Sequence, residues 1–336
     1  MISLELFIEK PSSDARPGGA GEASAVPSLY YAAETHVYKG KRAAGMSRPR
    51  LSWHFSPFPY KLLDKKRKFA IVYSAIYTEE RELELGLKGK VALVTGGGTG
   101  IGAGICEALA EEGVHVAVNW VVGKDDVQKF AAALGKKYGT DCRAFYADVS
   151  RPDDLDAMVK EIVAAYGHID ILVNNAGIWP TESVLDMPDG NWERVIDINL
   201  NGTFMLCKRV ARHMVEKGVR GSIVNLSSKS GFQYSTGGHA HYATAKAGVN
   251  MLTRALQREL AANGIRVNGI APGMVRTPLN EDKWADPELK RSYEARIPSG
   301  RFAQPVEIGY AVAFLASEKS YNIMGTVLDA TGGMLL

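Results

Sequence analysis

The chain has 336 residues, 46% of them hydrophobic and 23% charged, with a formal net charge of +3. The charge excess sits in residues 1–85, with 13 Lys and Arg against 10 Asp and Glu; the remainder carries 27 of each and gives no reason to invoke nucleic acid or an anionic membrane as partner. No apolar run approaches the ~18 residues of a membrane span, since "FAIVYSAIY" (69–77) is short and contains Ser74.

Residues 1–85 differ in texture from the rest. "PSSDARPGGAGEASAVPS" (11–28) lacks any apolar period and predicts a largely disordered N-terminal extension, punctuated by the basic stretches 39–50 and 64–68. "MISLELFIEK" has no basic leader and carries acids early, unlike a secretory signal, and ten acids argue against an organellar transit segment. A floppy tail, an upstream extension of the reading frame and a docking arm all stay open. Cys106, Cys142 and Cys207 lie far apart without metal-ligand or pairing spacing, which suits a reducing, cytoplasmic setting and predicts no metal site.

From residue 86 strands and helices alternate. "KVALVT" (90–95) is a near-continuous apolar run, as for a strand covered on both faces, and a helix over 100–113 follows. Further strands are predicted at 114–119, 142–147, 169–175, 221–227, 265–271 and 325–330. The intervening helices fall at about 124–138, 152–166, 190–217, 241–263 and 304–317. Repeated strand–helix units imply an α/β, doubly wound parallel sheet of Rossmann type with helices on both faces: one domain over 86–336, with a polar lid at about 275–303.

"TGGGTGIG" (95–102) directly follows the first strand and opens the first helix. Gly96, Gly100 and Gly102 permit a tight turn and let backbone N–H groups approach a pyrophosphate at the helix N-terminus. At the end of the second strand an acid would take ribose hydroxyls and an arginine a phosphate; here "VNWVVGKDD" (118–126) puts Trp120 in that place, with Lys124 the nearest cation. With no acid to repel a phosphate, the pocket favours NADP and leaves NAD open.

"HYATAKAG" (241–248) places Tyr242 and Lys246 on one helix face, after a strand that ends in Ser227 and Ser228. A parallel doubly wound sheet binds ligands beyond the carboxyl ends of its strands, so these side chains are expected beside the glycine loop. A free phenol is a poor acid at neutral pH; a nearby ammonium would lower its pKa, and a serine hydroxyl would steady a developing oxyanion.

With "ADV" (147–149), "NNAG" (174–177), "INLNGTF" (198–204), "IVNLSSKSG" (223–231), "YATAK" (242–246) and "APGMVRT" (271–277) in order, the chain from about 87 onward resembles the short-chain dehydrogenase/reductase family in its compact form. The resemblance implies an NAD(P)-dependent enzyme with Asn199, Ser228, Tyr242 and Lys246 as its catalytic set. Ser228 is preferred over Ser227 because it stands three residues before Gly231. The resemblance also implies a cofactor held by Gly96, Thr99, Gly100, Ile101, Gly102, Asn119, Trp120, Asp148, Val149, Asn175, Ala176, Gly177, Tyr242, Lys246, Pro272, Gly273, Val275 and Thr277. Plainer structural roles are open to several residues: Asn174 and Asn175 as strand caps, Asn199 at a helix kink, Trp179 and Trp284 as lid packing. His239 and His241 are candidates for the substrate mouth.

The lid, "TPLNEDKWADPELKRSYEARIP" (277–298), resembles those of sugar and polyol dehydrogenases in the family and implies a polyhydroxylated small-molecule substrate. A 3-oxoacyl thioester reductase is the alternative, with Arg254, Arg258 and Arg276 available to a carrier. An inactive nucleotide-binding scaffold and an epimerase or dehydratase fit less well, because Ser, Tyr and Lys are all kept and only 59 residues follow Thr277. The resemblance further implies a homo-oligomer, dimer or tetramer, formed through the helices at 190–217 and 241–263.

Overall fold

The computed structural model describes residues 84–233 and 237–335. The expectation of disorder over 1–85 therefore lies almost wholly outside the described residues. Leu85, 8% exposed, and Leu87, 1% exposed, already belong to the core.

Seven strands form one all-parallel sheet in the order β3-β2-β1-β4-β5-β6-β7. They are β1 (Val91–Val94), β2 (His115–Trp120), β3 (Cys142–Tyr146), β4 (Ile171–Asn174), β5 (Ser222–Leu226), β6 (Arg266–Pro272) and β7 (Val327–Ala330). The helices between them are α1 (Gly100–Glu111), α2 (Lys124–Tyr138), α3 (Pro152–Tyr166), α4 (Asp189–Ile196), α5 (Gly202–Lys217), α6 (Ala240–Leu260), α7 (Glu281–Ala285), α8 (Pro287–Glu294) and α9 (Pro305–Ala316). Every predicted strand is present, and the principal helices are too, with ends shifted by up to three residues and one helix divided in two.

The period-2 alternation of the strands divides the core into two layers. Ala92, Val94, Val116 and Val118 face α1, α2 and α9, where Ile105, Leu109, Leu134, Ile308 and Val312 are buried. Leu93, Ala117 and Leu172 face α3, α5 and α6, meeting Leu155, Met158, Ile162, Leu206 and Val210. On the first face α1 and α9 approach so closely that a Cβ on Gly309 would lie 2.4 Å from the Gly104 carbonyl oxygen. A buried arginine ends α9: Arg266 Nη1 donates to Leu315 O at 2.7 Å, and Nη2 donates to Ala316 O at 3.0 Å and Ser317 O at 2.9 Å. A guanidinium there meets the carbonyls and the negative end of the helix dipole together.

The stretch predicted as one helix over 190–217 is two helices joined by a wider, π-type turn at Asp197–Asn201. Its cause is local. Asn199 Nδ2 donates to Val195 O at 3.0 Å, competing for a carbonyl that a regular helix would give to a backbone N–H, and also to Ile178 O at 3.0 Å. The chain order reverses between β1 and β4, and the crevice beyond their carboxyl ends is the expected ligand position in such a sheet. Among the described residues no helix is long and apolar enough to cross a membrane.

Candidate active site

The glycine loop between β1 and α1 is built by backbone needs. Gly96 and Gly100 have φ of +58° and +53°, left-handed values that favour glycine, and a Cβ on Gly102 would lie 2.1 Å from Gly96 O. Thr99 gives the first turn of α1 no side-chain cap, so its N–H groups have no side-chain acceptor there. Uncapped N–H groups at a helix N-terminus behind a glycine turn fit an anionic pyrophosphate. Ile101 packs on the core behind the loop.

Two asparagines expected at the cofactor use their side chains to hold this loop. Asn119 Oδ1 accepts from Gly96 N at 3.1 Å while its Nδ2 donates to Ala147 O at 3.0 Å. Asn175 Nδ2 donates to Thr95 O at 2.9 Å and Gly96 O at 3.1 Å. Ala176 N donates to Thr95 Oγ1 at 3.0 Å, which brings "NNAG" against the loop. Asn174, also considered as a strand cap, donates to Asn225 Oδ1 at 2.9 Å inside the sheet.

Trp120 ends β2 and meets Tyr146 edge-on, with ring centroids 5.2 Å apart. Val121 and Val122 beyond it are exposed. After β3, Asp148 Oδ1 accepts from Ser150 N at 2.9 Å and Ser150 Oγ at 2.6 Å, and Val149 is buried.

Tyr242 and Lys246 lie in the first turns of α6, and Ser228 follows β5. The Ser228 hydroxyl lies near enough to the Tyr242 phenol to pull its pKa down. Ser227 is committed elsewhere: its buried hydroxyl donates to Asn250 Oδ1 and Lys246 O. The choice of Ser228 thus agrees with the geometry. Lys246, 4% exposed, donates from Nζ to Leu226 O at 2.7 Å and sits 5.7 Å from the Tyr242 ring centroid. Burial lowers its pKa to about 8.

The expectation that the ammonium depresses the phenol needs correction. Burial dominates and holds the Tyr242 phenol above its ordinary value, with the neighbouring Ser228 hydroxyl pulling the other way. Tyr242 is therefore proton-bearing at neutral pH.

The wide turn bearing Asn199 packs on α6. Its amide nitrogen is used twice within the protein, but the buried Oδ1 has no hydrogen-bond partner, and Gly177 is the residue beside it: a Cβ there would lie 2.5 Å from that oxygen. A buried acceptor left open next to the crevice fits a site completed by further ligand or solvent hydrogen bonds.

Pro272 ends β6 buried, and Gly273 lies so close to β7 that a Cβ would come within 2.6 Å of Thr331 O. The lid leaves and returns at one point: Val275 pairs with Ala303, Ala303 N donates to Met274 O at 2.9 Å, and Arg276 N donates to Ala303 O at 2.9 Å. Thr277 faces the glycine loop, with its Cγ2 3.4 Å from where a Gly100 Cβ would be; its Oγ1 donates to Asn280 Oδ1 at 2.9 Å. Trp284 Nε1 donates to Thr277 O at 3.1 Å, a packing role.

Trp179 stacks on His239 at 4.6 Å and is tilted to Tyr242 at 6.3 Å, which puts both Trp179 and His239 beside the Tyr242 ring. His241 is buried, with Nδ1 accepting from Tyr242 N at 2.8 Å. Sequence reasoning missed Lys283, whose Nζ lies 4.3 Å over the Trp179 ring; nothing in the lid's composition marks this lysine off from its neighbours. The three cysteines are free and buried, and no cluster of three or more metal-ligating side chains occurs among the described residues.

Residues 96–335 match the family model described as enoyl-(acyl carrier protein) reductase, which covers well over half of the chain. The chain belongs to the short-chain dehydrogenase/reductase family. Its relatives in this family include a 3-oxoacyl-[acyl-carrier-protein] reductase of Staphylococcus aureus, 41% identical over 247 residues, or 74% of this chain and 98% of the relative. A 3beta-hydroxysteroid dehydrogenase 1 of Eggerthella lenta is 39% identical over 251 residues, covering 74% and 95%. Among solved structures, a candidate gluconate dehydrogenase of Agrobacterium tumefaciens aligns with a TM-score of 0.71 at 32% identity, covering 76% of this chain and 99% of that one. A candidate NAD(P)-dependent gluconate 5-dehydrogenase of Beutenbergia cavernae, with NADP bound at low occupancy, aligns at 0.69 and 35% identity, covering 75% and 99%. Members of this family related to the chain are NAD(P)-dependent oxidoreductases, and the chain is an oxidoreductase of this type.

Proposed function

We propose that the chain interconverts a secondary alcohol on a polyhydroxylated small molecule and the corresponding carbonyl, using NADP or NAD, with Tyr242 as general acid/base. The observation that carries this reading is the neighbouring Ser228–Tyr242 pair with buried Lys246 one turn on, beside a glycine loop suited to a pyrophosphate. The bound nicotinamide would supply or accept the hydride. Tyr242 Oη gives its proton to the substrate oxygen in reduction and takes it back in oxidation, and the Ser228 hydroxyl steadies that oxygen as charge develops.

Lys246 holds the cofactor ribose and keeps positive charge near the phenol when the site is filled, and Asn199 uses its open Oδ1 to order a proton path toward Lys246. The uncapped turn at Thr99–Gly102 holds the pyrophosphate. Asp148 and Val149 border the adenine, Trp120 the adenosine ribose, and Gly177, Pro272, Gly273, Val275 and Thr277 the nicotinamide end. The absence of an acid at Trp120 favours NADP. Exposed Phe204 and Val215 on α5 and Met251 on α6 support assembly through these helices as a dimer or tetramer.

The test is absorbance of reduced nicotinamide with NAD⁺ or NADP⁺ across aldoses, polyols, sugar acids and simple secondary alcohols. Turnover is expected to fall by about 10²–10⁴-fold in Tyr242→Phe while cofactor affinity is kept. The 41% identity to a 3-oxoacyl-[acyl-carrier-protein] reductase favours a second reading, a 3-oxoacyl thioester as substrate. Silence on sugars and alcohols with turnover of a 3-oxoacyl thioester would establish that reading instead. Cofactor binding with no turnover of any of these would mark an inactive scaffold.

A further inference from the structure

Lys283 of α7 carries a positive charge that the proposed hydride transfer does not use. Its Nζ lies 4.3 Å over the Trp179 ring. It makes no ion pair within the described residues, whereas nearby Lys290 meets Glu294 at 3.8 Å and Arg301 pairs with Glu307. Glu281 and Asp282 precede it on the same short helix and are exposed. The lysine is itself only half-buried, so water reaches it on one side while the indole covers the other.

The column beneath this ammonium leads to the proposed chemistry. Trp179 stacks on His239 at an interplanar angle of 24° and lies 6.3 Å from the Tyr242 ring. His239 is fixed from below: its Nδ1 donates to Pro180 O at 2.8 Å, and its Nε2 is 3.4 Å from the Thr181 hydroxyl. Burial holds the imidazole below its ordinary pKa against the opposing pull of its hydrogen bond to Pro180 O, so at neutral pH the ring is uncharged and Lys283 is the cation of the column. On the serine side of the same pair, Lys229 directly follows Ser228, is half-buried, and feels the Arg296 charge from the far end of the lid. Arg296 in turn lies 4.4 Å over the Tyr293 ring. Both ends of the lid thus bring positive charge to the neighbourhood of Ser228 and Tyr242.

A neutral sugar offers an ammonium no charge to meet. A carboxylate offers it a charge-assisted hydrogen bond on the side that the indole leaves open. We propose that Lys283 is a specificity-determining residue: the substrate is a hydroxy acid or its oxo form, and its carboxylate pairs with the Lys283 ammonium that Trp179 holds in place. This deepens the reading given above and rests on it for the reacting carbon.

The test uses the full chain saturated with oxidised cofactor and two matched pairs of probes: gluconate with sorbitol, and 3-hydroxybutyrate with 1,3-butanediol. In calorimetric titrations the acid of at least one pair is expected to bind tenfold or more tightly than its neutral partner. That advantage disappears in Lys283→Gln and is largely kept in Lys283→Arg, with thermal melts reporting that each variant is folded. Equal binding within both pairs overturns the proposal, as does an acid preference that survives Lys283→Gln. Turnover separates this proposal from the one it rests on. Oxidation of neutral polyols with no acid preference sinks the role of Lys283 and leaves the reaction standing; a Lys283-dependent acid preference without turnover of any probe does the reverse.

Discussion

Lys246 shows how one buried amine ties chemistry to stability. Its folded pKa of about 8 lies below the ordinary 10.5, so between those values the unfolded chain holds more protons than the folded one, and stability rises as pH climbs through that window. The protonated amine costs the fold roughly 3 kcal/mol below pH 8, which is comparable to the penalty for leaving Leu226 O without its donor. Lys246→Met is therefore expected to be inactive, yet close to wild type in stability at pH 7. The wild type should gain on it steadily between pH 8 and 10.5, read by urea denaturation across that range. A gap that does not change with pH would mean that the amine keeps its ordinary pKa within the fold, with no penalty for its burial.

Among the elements, α1 and α9 make the tightest contact, through two glycines. A methyl group on Gly309 would collide with the Gly104 backbone, which cannot retreat without moving α1. Gly309→Ala should cost about 1–3 kcal/mol by overpacking and weaken cofactor binding as well, because the glycine loop rides on α1. Denaturant melts and a cofactor titration check both effects. This contact was not legible in the sequence, where Gly104 and Gly309 read only as small residues inside helices. The strands were legible, because covered parallel strands show as apolar runs. The glycine loop, Ser228, Tyr242 and Lys246 were legible too, because each depends on residue type at short spacing. The wide turn at Asn199 was hidden, since it arises from a side chain competing for Val195 O. Lys283 and Trp179 were hidden as a pair, since 104 residues and a lid separate them. Arg266, buried at the start of β6, reads as an anomaly until α9 supplies the carbonyls it caps.

At the scale of the molecule, the seven-stranded sheet and every proposed site residue lie within the described residues, and among these the core begins at Leu85. A chain beginning at Glu84 is expected to keep its melting temperature and its cofactor affinity within twofold. One beginning at Lys88 loses two core leucines and should be destabilised by about 2–5 kcal/mol for each. Calorimetric melts of the two truncations beside the full chain decide it. The glycine contact between α1 and α9 also sets a timetable. α1 emerges from the ribosome early, but the surface that covers it is encoded some 200 residues later, so at ~5–20 residues per second the nucleotide loop waits about ten seconds or more for its backing. Over that interval one apolar side of α1 is open to chaperones, and a message truncated before residue 305 yields a chain whose α1 lacks that cover.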